Sequence, residues 1–168
     1  MKTILEFSNN SKKVAYGTIG IVIFTTIHHI YGGLLYDTSW RIIMPLFFFL
    51  PLLAFTIYLQ YLAIKKLNKI AFIANVIFVI LWIFMLGFWE GWYNHTLKNI
   101  LYFGGASESL MDKMFPPELG SSKFFEKPND WFFEITGIIT TIFGFYLSYY
   151  LYAFSKDFKK KTTKLHRN

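Results

Sequence analysis

The chain has 168 residues, of which 54% are hydrophobic, 21% aromatic and only 16% charged, and one small aqueous core could not use its 20 Phe and 11 Tyr. A bilayer is the solvent that suits such a composition. The net charge of +7 is gathered at the ends of apolar runs, which argues for contact with anionic lipid headgroups and against nucleic acid, and the absence of cysteine excludes disulfides, thiolate metal sites and thiol catalysis.

Lys12 and Lys13 precede the first uncharged run, residues 14–36. It is long enough to cross a bilayer and lacks a small-x-small cleavage site, so it reads as a spanning helix and not as a signal peptide. Along it, Ala15, Thr18, Val22, Thr25, His29, Gly32 and Tyr36 recur at steps of three and four, a stripe that points His29 into a bundle. His28 lies about 100° round the helix, beside Phe24 and Tyr31.

A five-residue turn from Asp37 to Arg41 leads into the second run, residues 42–64, where Pro45 and Pro51 each remove a backbone donor and loosen the helix. Lys65, Lys66 and Lys69 mark a tight turn into the third run, residues 70–95. On it Gly87, Glu90 and Asn94 share a face, whereas α-helical geometry puts His95 off that face, towards Gly91 and Lys98, and higher than the histidine pair. Residues 96–130 form a long connection carrying Gly104, Gly105, Pro116, Pro117, Gly120 and Pro128. Its apolar anchors (Leu101, Tyr102, Phe103, Met114, Phe115, Phe124 and Phe125) suit a partly ordered cap on the membrane surface. The fourth run, residues 131–155, holds Glu134, Gly137, Thr141, Gly144 and Ser148 on one face, and small residues of this kind let helices approach closely in membranes. That stripe could serve the bundle or a homo-oligomer.

The sequence therefore predicts an all-α, integral membrane four-helix bundle, a single multi-pass domain over residues 1–168. Segments at one face carry 12 Lys and Arg against 2 acids, and those at the other 5 against 8. The positive-inside rule then puts both termini in the cytoplasm and the long connection outside, and Trp40, Trp89, Trp92, Tyr93 and Trp131 supply an aromatic belt at the outer interface.

Four helices bring His28, His29, Glu90, Asn94, His95 and Glu134 towards one end of the bundle. Ionisable groups in a span are expensive and usually face a partner, a cavity or a ligand. His28, His29, His95, Glu90 and Glu134 have the donor chemistry for a divalent metal such as Zn or Fe, although no H-x-x-x-H or E-x-x-H occurs, so a site must be assembled between helices. His29, Glu90, Glu134 and Asn94 could also run metal-free acid–base catalysis. The leading expectation is an enzyme acting on a lipophilic small molecule admitted from the surrounding lipid. The alternatives are an accessory or scaffold subunit whose polar residues fix helix packing, a b-type haem protein ligated by His28 or His29 with His95, and a small transporter. Desaturase-like histidine boxes and P-loop, Rossmann and serine-hydrolase signatures are absent.

Overall fold

The computed structural model describes residues 8–116 and 128–165, so Gly120, Phe124 and Phe125 of the expected cap lie outside the described residues. All regular structure among the described residues is helical, and four helices are long and apolar enough to cross a membrane, consistent with a multi-pass membrane protein.

Helix α1 (Asn9–Leu35) starts where the Ser8 side chain accepts a hydrogen bond from the Ser11 amide. It stops at Asp37, whose φ of 57° is a left-handed turn that Asp tolerates better than most residues. Helix α2 (Ser39–Lys65) contains a wide-turn π segment, Pro45–Phe49, which begins at one of the two prolines. Leu67 reverses the chain at φ 47°, held there by packing against Leu59, Ala63, Ala71 and Phe158, and Asn68 caps the next helix by accepting from the Ala71 amide.

Helix α3 (Lys69–Phe103) runs through a second π segment, Ile83–Leu97, and ends at Gly104–Gly105, where Gly105 has φ 82°. It extends beyond residue 95, where the apolar run stops, because Lys98 and Asn99 are satisfied by partners on another helix. A short helix α4 (Glu108–Met114) follows, docked by the Tyr93 hydroxyl, which donates to the Met114 carbonyl at 2.6 Å. Helix α5 (Trp131–Leu165) is capped by Asp130, whose carboxylate accepts from the Phe133 amide at 2.8 Å.

The helices pack antiparallel, and the end where α1 begins and α5 ends is called proximal. Its core is largely apolar, with Val14, Ile21, Val22, Ile64, Val79, Trp82, Leu147, Leu151 and Phe154 all buried, and the uncharged polar Gln60, Asn75 and Thr56 buried beside them. The most extensive contact is α3 against α5, and glycines make it possible. A Cβ on Gly87 would lie 2.7 Å from the Cα of Gly144. One on Gly91 would overlap Thr140, and one on Gly137 would overlap the His95 ring. The small-residue stripe of α5 is thus occupied by α3 within the chain. Helices α2 and α3 meet differently. Leu50–Lys65 packs along Lys69–Trp82, but the distal part of α2, Ser39–Phe49, makes no more than isolated contacts with Ile83–Leu97. Among the described residues the two helices part above the Phe49–Trp82 ring contact, at a centroid distance of 5.9 Å.

A buried histidine and glutamate network at the distal end

The distal half of the core is polar. His28, His29, His95, Lys98, Glu134 and Thr136 are all buried, and Glu90 is 12% exposed at its side chain. Glu90 is the hub. Its Oε1 lies 3.1 Å from His28 Nε2, 3.7 Å from His29 Nε2 and 3.7 Å from His95 Nε2, and its Oε2 accepts from the Asn94 amide at 2.9 Å. One ligand atom from each of His28, Glu90 and His95 falls within a 4.8 Å span.

Three sequence expectations are corrected here. His95 joins Glu90, and the reason is the π segment. Hydrogen bonds of the i→i+5 type put more residues in each turn than the α-helix's 3.6, so residues five apart return to nearly the same face. Thr96, whose hydroxyl donates to the carbonyl of Gly91 at 3.2 Å, displays the same five-residue spacing. Nor does His95 sit above the histidine pair: its ring meets that of His28 edge-on at 4.5 Å. His28, not His29 alone, is the inward histidine of α1. Packing against α5 on one flank and α2 on the other buries a face of α1 broad enough for both.

Tautomers follow from the outer partners of each ring. The Thr136 hydroxyl lies 2.8 Å from the Phe132 carbonyl, to which it donates, and 3.0 Å from His28 Nδ1, from which it accepts when that nitrogen carries the proton. Glu134 Oε2 lies 2.8 Å from His95 Nδ1, while Glu134 also accepts from Lys98 Nζ at 2.7 Å and from Asn99 Nδ2 at 2.6 Å. A carboxylate so surrounded by donors offers His95 a lone pair, and the His95 Nδ1 proton fills it. With the proton of each ring on Nδ1, the bare lone pairs of His28 Nε2 and His95 Nε2 would face Glu90. Lone pairs facing a carboxylate at these distances need a cation or a shared proton between them. His29 Nδ1 is buried with no partner among the described residues, and its ring is edged by Trp40 and Phe49 at 5.9 and 5.6 Å.

The other candidates are found together, with Asn94 on the face of Glu90 as its spacing implied and Glu134 in a different place from the expected one. Glu134 stands behind His95 and not among the converging atoms, and Asn94 steadies Glu90. Lys98, Asn99 and Thr136 were not anticipated as members of the network. Their signal was present: Lys98 and Asn99 follow His95 by three and four residues, one helical turn, and Thr136 follows Glu134 by two. The edge-on contact of His28 and His95 leaves no slot for a macrocycle between the rings, so that pair does not suit a bis-histidine haem.

Comparison with protein-family models, with characterised proteins and with solved structures gave no match.

Proposed function

We propose that this protein is a membrane-embedded enzyme whose distal site binds a divalent transition metal on His28, His95 and Glu90, with His29 as an adjacent fourth donor. The observation that carries the reading is the convergence of His28 Nε2 and His95 Nε2 on one carboxylate oxygen of Glu90, at 3.1 and 3.7 Å. A metal–nitrogen bond of about 2.0–2.1 Å sets ligand atoms about 3.3 Å apart around a tetrahedral centre. The 3.1 and 3.7 Å separations at Glu90 bracket that spacing, although the full 4.8 Å spread is slightly wider than a closed set. Two imidazoles and a carboxylate are the donor set of both catalytic zinc and non-haem ferrous sites, which keep positions open for water or substrate. Carboxylate Glu134 behind His95 and hydroxyl Thr136 behind His28 are the outer partners that such ligands use to fix their tautomer. A bound metal would polarise an oxygen of the substrate or lower the pKa of a bound water. The apolar outer faces of the helices favour a lipophilic substrate, and the basic asymmetry of the sequence supports an outer-leaflet location for the site.

The competing reading places protons where the metal would be, giving metal-free acid–base chemistry from the same atoms. Elemental analysis of the detergent-purified protein distinguishes the two. The expected result is about one equivalent of zinc, iron or manganese per chain. Retention should fall at least tenfold in His28→Ala and Glu90→Gln. A folded, monodisperse wild-type protein that neither retains metal nor takes it up on titration would leave the proton reading standing.

A further inference from the structure

Resting on that reading for its chemistry, we infer that the substrate is a long-chain lipid with an uncharged oxygen-bearing head, such as an alcohol or ester. It enters from the outer leaflet through the gap between the distal halves of α2 and α3. Four observations converge on this gap. The two helices pack below the Phe49–Trp82 contact, and above it their described residues make no more than isolated contacts. The segments bordering it expose large apolar side chains: Phe47 and Phe48 on α2, Phe84, Met85 and Trp89 on α3. Phe47, Phe48, Pro51, Leu52 and Phe55 also form a shallow, open apolar groove on the face of α2. Phe55 meets Phe78 of α3 at 5.4 Å, which puts the groove beside the seam of the two helices.

The inner end of the cleft is polar. Phe49, where the helices part, also packs on His29, whose Nδ1 is buried and without a partner, and Glu90 is the most exposed group of the cluster. Apolar walls ending at an unpartnered donor or acceptor and a carboxylate match a molecule with a hydrocarbon tail and a small polar head. A water-soluble substrate would strand its polar groups against Phe47, Phe48 and Met85. Pro45 begins the π segment of α2, Pro45–Phe49, where a proline loosens the helix just where the two helices part.

The chain contains no cysteine, so the cleft can be closed at will. The protein is reconstituted in phosphatidylcholine vesicles containing a saturated long-chain alcohol with a diazirine beside the hydroxyl. Photolabelling is resolved to single residues, and metal content is measured on the same sample. Label is expected on His29, Phe49 and Glu90. It should fall at least fivefold when Phe48→Cys and Met85→Cys are joined by a short bismaleimide, with metal content unchanged. Label confined to lipid-facing side chains such as Ile77 and Phe145, and indifferent to the cross-link, would overturn the inference. Interior label on metal-free protein would uphold the cleft and overturn the metal site. Metal without interior label would do the reverse.

Discussion

His95 shows how much one side chain depends on what stands behind it. Its Nδ1 proton is held by Glu134, which Lys98 and Asn99 hold in turn. Removing such an outer partner typically costs 10–100-fold in metal affinity, and leaves the ligands in place. Glu134→Gln should therefore weaken metal binding by about 10–100-fold in a competitive titration with a chromophoric chelator, less than the loss in Glu90→Gln. Equal losses in the two variants would put Glu134 on the metal. His28 and Glu90 were legible from the sequence as neighbours, because helix heights and the charge of a buried carboxylate both follow from residue spacing. Lys98 and Asn99 were not legible. They lie past the apolar run, and only the partner carboxylate on α5 makes their burial tolerable.

At the scale of elements, the seam between α3 and α5 is set by glycine. Gly87 and Gly144 touch backbone to backbone, and a side chain on either has nowhere to go. Gly87→Leu should lower the apparent melting temperature in detergent, with a cost of about 1–3 kcal/mol or more, as overpacked sites do. Ile77→Leu, at a site 52% exposed to lipid, should leave it unchanged. A Gly87→Leu protein as stable as the parent would mean that α3 and α5 are not packed this closely. The stripes on α1 and α5 were readable because small residues at steps of three and four have few other uses in a span. The π segments were not readable. Nothing in the residues Ile83–Leu97 announces a wider turn, since the benefit of widening lies in the groups it meets on α1 and α5.

Across the whole molecule, charge separates the two ends. Lys12, Lys13, Lys65, Lys66, Lys69 and the lysines of the α5 tail gather at the proximal end with Asp157, whereas Asp37, Glu90, Glu108, Asp112, Asp130 and Glu134 lie towards the distal end. Helix α5, at 35 residues, is about 52 Å long, well beyond a hydrocarbon core of about 30 Å, so its lysine-bearing end stands clear of the bilayer. A reporter fused after Asn168 should read cytoplasmic and one inserted between Gly105 and Ala106 should read extracytoplasmic. Matching signals would remove the outer-leaflet location from the proposed site. The four helices themselves needed no tertiary information, because uninterrupted apolar length is sufficient to mark a span.

The wide turns of α3 carry a consequence for how such a site could arise. A π segment has the register that a helix acquires when residues are inserted without unwinding it. Short of the insertion, the inner half of α3 would pack against α2 and α5 as it does now, and the protein would remain a membrane bundle. Only the residues beyond would be turned, with His95 directed away from Glu90. Chemistry and scaffold are therefore separable by a change of register confined to one helix. The apolar half of the molecule need not record that the change occurred.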